Sequence, residues 1–203
     1  MGIIEDKKSK ITNRVIYPVI LSVPADAKEL TRRERVKYLS RHARRALKIS
    51  AEKSGIQLGE LIKEDNGSPM PSGGNYWSVT HKPEYVGGVI ASEKIGIDIE
   101  KIRPCSKALF KKTADSREWA LSDTDPMKLF FRYWTSKEAV LKAGGKGLTD
   151  LSKCRIVQIT DDHNLIINYK NKKWFIEQHF FKDHVASVIK TASRIEWTIL
   201  MAS

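Results

Sequence analysis

The stretch Ile95-Gly96-Ile97-Asp98-Ile99-Glu100 decides how the rest of the chain is read. Ile95, Ile97 and Ile99 fall on one face of a period-two pattern, and Gly96, Asp98 and Glu100 on the other, which predicts a half-buried β-strand. Asp98 and Glu100 stand at i and i+2, so both carboxylates point the same way, roughly 7 Å apart along the strand. Like charges at that spacing repel unless a cation or a proton lies between them. Gly96 leaves open space beside them. Hard oxygen ligands with open space describe a Mg²⁺ site, because Mg²⁺ takes one or two protein carboxylates and completes its shell with phosphate and water. Taken alone, an Asp and a Glu at a strand end are more often merely solvated. The balance shifts at Phe130 to Lys142, downstream.

The 203 residues suffice for one large domain or two small ones of about 100 each. An apolar content of 41% and a charged content of 30% are those of a soluble globular protein. No apolar run approaches the roughly 18 residues of a membrane span, and Met1 to Lys10 is charged, without the apolar core of a signal peptide. Cys105 and Cys154 make no metal or redox spacing. Cytoplasmic residence with free thiols is the expectation. The net charge of +12 calls for a polyanionic or acidic partner. Nucleic acid, an anionic membrane, a phosphorylated small molecule and an acidic protein all qualify.

Arg14 to Val23, β-branched with Pro18 inside, predicts an edge strand. Thr31 to about Ser54 predicts a helix, opened by Thr31 and Glu34 as a capping box and packed on one face with Arg and Lys. Asn66-Gly67-Ser68-Pro69 and Pro71 to Asn75 are turn chemistry. Trp77 to His81, Val86 to Ala91 and Ile95 to Glu100 then read as the strands of one small meander. Between Arg103-Pro104 and Asp125 the sequence is polar and mixed, with Phe110 and Trp119 as isolated large apolar residues. Asp125-Pro126 opens a helix that Gly144-Gly145 ends, with Trp134, Glu138 and Lys142 on one face at i, i+4 and i+8. Thr135 with Glu138 offers a second capping box, but no breaker interrupts Phe130 to Trp134. Cys154 to Ile159, Leu165 to Tyr169, Trp174 to Phe181, Val185 to Lys190 and Ile195 to Leu200 predict the remaining strands. Val86-Gly87-Gly88-Val89-Ile90 is echoed by Val185-Ala186-Ser187-Val188-Ile189, and Ile97-Asp98-Ile99 by Trp197-Thr198-Ile199. The expected fold is therefore α+β, two similar halves as a pseudo-dimer, each a small antiparallel sheet packed against helices. The expected division is 1–103 and 104–203.

The strand Ile95 to Glu100, followed by Trp134-Thr135-Ser136-Lys137-Glu138-Ala139-Val140-Leu141-Lys142, resembles the paired signatures of the 4′-phosphopantetheinyl transferases. Gly67-Ser68-Pro69, Val79-Thr80-His81 and Gly145-Lys146-Gly147-Leu148 are similar to further segments of that family. Order and length are similar to its surfactin-synthetase-activating, monomeric type. Ser68 stands where a lysine is common, and Thr80 replaces a serine.

The resemblance implies Mg²⁺-dependent transfer of phosphopantetheine from coenzyme A to a serine of an acyl or peptidyl carrier protein, with release of 3′,5′-ADP. It implies Asp98, Glu100 and Glu138 as metal ligands, Glu138 also as general base, and Lys142 at the pyrophosphate. Lys137 becomes a second phosphate contact, with His81 and Thr80 at the coenzyme and Arg35 the choice among the N-terminal basic residues. Phe110 and Trp119 offer an apolar docking surface for the carrier, or core packing. Membrane and nucleic acid are not expected as partners. The alternatives are a basic nucleic-acid-binding protein, motivated by the basic helix, and a non-catalytic relative that only binds carriers.

Overall fold

The computed structural model describes residues 15–65, 67–145, 147–191 and 194–201. Met1 to Lys10, Arg14, Asn66 and Lys146, which entered the sequence reading, lie outside them. Strands β1 (Val15–Ile16) and β2 (Val19–Ser22) flank Pro18, so the proline separates two strands rather than lying inside one. Helix α1 (Arg32–Lys53) opens on the expected capping box: the Glu34 amide donates to Thr31 Oγ1, and the Thr31 amide donates to Glu34 Oε2 at 3.0 Å. Its apolar face buries Leu39, Ala43, Ala46 and Leu47, while the basic face stays in water. Strands β3 (Tyr76–His81), β4 (Tyr85–Ala91) and β5 (Ile97–Lys101) follow.

The polar stretch after Pro104 holds two short helices, α2 (Lys107–Thr113) and α3 (Ser116–Trp119), capped by Ser106 and Asp115. Helix α4 (Pro126–Gly144) starts with the Asp125 side chain accepting from the Lys128 amide at 2.8 Å. It runs unbroken through Thr135 and closes at Gly145 in the left-handed region. Strands β6 (Arg155–Ile159), β7 (Asn164–Tyr169), β8 (Lys172–Phe181), β9 (His184–Lys190), β10 (Arg194–Ile195) and β11 (Thr198–Leu200) complete the chain.

The fold is α+β, with largely antiparallel sheets packed against helices. One sheet has the order β11-β2-β4-β3, the other β5-β9-β8-β7-β6, and β1 pairs with β10. Helix α1 covers the first sheet through Val19, Leu21 and Val86. Helix α4 covers the second through Tyr133, Val140 and Leu141 against Ile97, Ile167 and Val188. No helix among the described residues is long and apolar enough to cross a membrane.

Two expectations change here. Strand β2 is an interior strand, between β11 and β4, because Pro18 falls outside its ladder. The three-strand meander does not form: β3 and β4 pair, but β5 pairs with β9, Asp98 opposite Ser187. The sheets also cross the division at residue 103. The strand after β4 joins the second sheet, and β11, after β9, returns to the first.

The crossing of β5 under α4 depends on Gly96. A Cβ there would lie 1.9 Å from the Ala139 carbonyl oxygen, inside the backbone of α4. Gly88 plays the same part under α1, where a Cβ would lie 2.3 Å from the Leu47 nitrogen. Backbone cannot yield as a side chain does. Gly96→Ala is therefore expected to cost about 3 kcal/mol of unfolding free energy or more, measured by urea denaturation. A loss below about 1 kcal/mol would show that α4 and β5 separate freely.

Candidate active site

Asp98 is fully buried, as are Ile97 and Ile99 on either side. A buried carboxylate needs charged or hydrogen-bonding partners. Asp98 Oδ1 finds two: Thr80 Oγ1 from β3 and Lys142 Nζ from α4, each donating at 2.8 Å. Lys142 also donates to the Ile97 carbonyl at 2.9 Å. Asp98 Oδ2 is buried with no hydrogen-bond partner. Two residues on, Glu100 accepts from Lys82 Nζ at 2.7 Å, and that ammonium lies 4.0 Å from Asp98 Oδ1. Burial opposes the charge on Lys82, but Asp98 and then Glu100 outweigh it and raise its pKa.

Glu138 lies one turn before Lys142 on the same face of α4. Burial first, and then the charge of Asp98, push its carboxyl up to about 7, with Glu100 adding and Lys142 and Lys82 opposing. Three carboxylates and two ammonium groups therefore share one field. Among the described residues no three His, Cys, Asp or Glu side chains are gathered tightly enough to hold a metal ion between them. The donor set still suits one. Asp98 Oδ2 is an orphaned buried oxygen, Glu100 adds a second hard oxygen on the same strand face, and Mg²⁺ is commonly held by two carboxylates with phosphate and water.

His81 ends β3 with its side chain open to solvent. The protein packed around its ring, and then Lys142, Lys82 and Lys63, hold its pKa below the usual histidine value. Beside Lys142 opens a cavity of about 230 Å³ lined by Lys63, Gly67, Ser68, Ser78 and Gly145. The Ser68 hydroxyl donates to the Gly145 carbonyl at 3.3 Å, tying that loop to the end of α4. A larger cavity, about 770 Å³, lies at the other end of β3 near Tyr76, Lys94, Trp174 and Phe175, away from the carboxylates.

Asp98, Glu100, Glu138, Lys142 and His81 thus come together as the sequence suggests. Three other expectations need correction. Thr80 is buried and its hydroxyl is committed to Asp98, so it orients a carboxylate rather than meeting a coenzyme. Lys137 is 1% exposed and points away from the cluster. Its ammonium donates to the Thr113 carbonyl and pairs with Glu118 Oε1, both at 2.6 Å. The Arg35 guanidinium donates to the Ala27 carbonyl at 3.1 Å, pinning the start of α1. Phe110 and Trp119, both half-buried, stack on each other at 4.1 Å, and on Phe130 and Tyr133 of α4, the packing reading of the two left open by the sequence.

Lys82 and Lys63 were not foreseen at the site. Lys82 reads in sequence as part of a Lys-Pro turn, one of 36 basic residues, and only the approach of the two sheets sets it against β5. Glu118 lay in a stretch without periodicity, though Asp115 three residues before it was a legible capping box.

Residues 94–189 match a family model described as the 4′-phosphopantetheinyl transferase superfamily. The chain is 44% identical over 71 residues to the 4′-phosphopantetheinyl transferase HetI of Nostoc sp., covering 32% of this chain and 30% of that protein. It is 33% identical over 111 residues to psf-1 of Bacillus pumilus, 50% of this chain and 47% of the relative. Against Sfp of Bacillus subtilis it is 35% identical over 78 residues, 36% and 35% of the two chains. The chain therefore spans less than half the length of each of these relatives.

Two outcomes are expected. Lys137→Met leaves Glu118 charged and buried without its cation, at a cost of about 3–5 kcal/mol in urea unfolding. Adding Glu118→Gln recovers part of that loss, because the amide oxygen still accepts from the Ile156 amide. The raised Glu138 carboxyl binds its proton more tightly folded than unfolded. Its contribution to stability is therefore present below about pH 4.5 and is lost as pH rises through about 7. In EDTA, the Tm of Glu138→Gln minus that of the wild type should climb from about pH 5 to about pH 8, at about 2–4 °C per kcal/mol. A constant difference would contradict the shift.

Proposed function

We propose that the protein moves 4′-phosphopantetheine from coenzyme A to a carrier-protein serine, a reading supported by the match of residues 94–189 to the 4′-phosphopantetheinyl transferase superfamily model. The observation that carries this is the electrostatic cluster of Asp98, Glu100, Glu138 and Lys142, in which Asp98 Oδ1 accepts from Lys142 while Asp98 Oδ2 is buried without a hydrogen-bond partner. A chain that bound only nucleic acid, or only carriers, would have no use for that arrangement.

In the proposed reaction the serine oxygen attacks the β-phosphorus of the coenzyme's pyrophosphate. A new P–O bond forms to serine, and the bridging P–O bond breaks. 3′,5′-ADP leaves with the electron pair. Asp98 and Glu100 would hold a Mg²⁺ ion, which would neutralise the charge growing on the leaving phosphate. Glu138 takes the serine proton. Without metal, burial and Asp98 push its carboxyl up to about 7, and a cation at Asp98 and Glu100 would favour the ionised form that a base needs. Lys142, between Asp98 and the 230 Å³ cavity, presents its ammonium to the pyrophosphate. His81, whose pKa is held below the usual histidine value by burial and the neighbouring lysines, would meet a phosphate through a ring N–H. Thr80 keeps Asp98 in place. The net charge of +12 suits both a polyanionic coenzyme and an acidic carrier surface.

The test is intact-mass spectrometry of apo-carriers from fatty-acid, polyketide and nonribosomal-peptide systems, each incubated with the protein, coenzyme A and Mg²⁺. One phosphopantetheine mass is expected on at least one carrier. EDTA should abolish it, and Asp98→Asn or Glu138→Gln should slow it on the order of 100-fold or more. No gain on any carrier, with coenzyme A still bound, overturns the transfer reaction. Failure to bind coenzyme A, with salt-sensitive binding to DNA, would favour the nucleic-acid reading of the basic α1 face.

A further inference from the structure

The two carboxylates on β5 already share a cation that belongs to the protein. Lys82 Nζ is 2.7 Å from Glu100 Oε1 and 4.0 Å from Asp98 Oδ1. Its position is fixed at the root. The Lys82 amide donates to the Tyr85 carbonyl at 2.8 Å in the turn between β3 and β4, with Pro83 next in the chain. The preceding residue, His81, is locked opposite Val86. The side chain is 25% exposed and the Asp98 side chain 1%, so water screens the contact far less than at an open surface. Lys142 approaches the same Asp98 oxygen from α4. The two lysines arrive from different elements, and only Lys82 bridges toward Glu100.

Given Asp98 and Glu100 as cation ligands, as proposed above, we propose that Lys82 is a built-in counter-ion that competes with the divalent metal for them. An ammonium and a divalent cation at these oxygens repel each other at short range. Each therefore weakens the binding of the other, by the same factor in both directions. Lys82 keeps the carboxylates neutralised and the fold stable without metal, and it raises the metal concentration at which the site fills. Lys82 thus sets the metal requirement of the site without itself being a ligand.

The experiment is calorimetric titration of MgCl₂ into the full chain at fixed ionic strength, with thermal melts in EDTA and in Mg²⁺. The proteins are wild type, Lys82→Met, Lys82→Gln and Lys82→Arg. Removing the charge should tighten Mg²⁺ binding on the order of tenfold. It should also lower the Tm in EDTA and enlarge the Mg²⁺-induced rise in Tm. Lys82→Gln guards against misfolding of the Met variant, and Lys82→Arg, which keeps the charge, should bind Mg²⁺ no more tightly than wild type. Unchanged or weaker binding in both neutral variants overturns the competition while leaving the transfer reaction standing, if the wild type still modifies a carrier. Absence of Mg²⁺ binding in every protein overturns both the cation ligands and the counter-ion.

Discussion

Asp98 is a charge with no access to water, and much of the architecture answers that constraint. A carboxylate at that depth is unfavourable unless cations and donors are brought to it. Thr80 comes from the end of β3, and Lys142 from the far half of α4, 44 residues downstream in sequence. Strand β5 itself is held by β9, not by its neighbour in sequence. One oxygen therefore ties together elements from both sheets. Moving any of them leaves a buried charge uncompensated, which is why the close contact of Gly96 with α4 matters to chemistry as well as packing.

Behind that oxygen, the position of α4 is set by polar contacts as much as by apolar ones. Ser187, opposite Asp98 on β9, bonds Thr135 at 2.7 Å and Ser136 at 3.2 Å. Gln178 of β8 reaches Ser136, Ser187 and the Arg132 carbonyl. Hydrogen bonds are directional where apolar contact is not, so this network fixes the helix in rotation as well as distance. Rotation decides which of its side chains faces β5.

The local parts of this plan were legible in the sequence. Both long helices carry their start signals within four residues, Thr31 with Glu34 and Asp125 with Pro126, and such signals do not depend on distant chain. Asp98, Glu100, Glu138 and Lys142 were legible because strand and helix periods put them on common faces. What was not legible was non-local. Ser92-Glu93-Lys94 reads as a hairpin turn, yet β5 leaves β4 for β9, a choice made by residues 90 positions away. Lys82 sits in the turn after β3 and reaches the site only because that turn lies against β5 of the other sheet, which no local pattern encodes.

The α4 motif shows how a resemblance can mislead about a single residue. Lys137 and Lys142 are five positions apart, roughly 140° around a helix. They cannot both face β5. Trp134, Glu138 and Lys142 follow one another at four-residue spacing, and Lys137 falls on the opposite side. There it is sealed against Glu118 and the Thr113 carbonyl, behind Tyr133, whose hydroxyl donates to the Glu118 carbonyl. The motif is thus two jobs written in one line. One face presents a carboxylate and an ammonium to the buried Asp98. The other anchors the helix to α2 and α3 through a buried ion pair, so that the first face is held still. An ammonium spent on that anchor is unavailable to any phosphate, and helix geometry alone assigns the two lysines to their separate work.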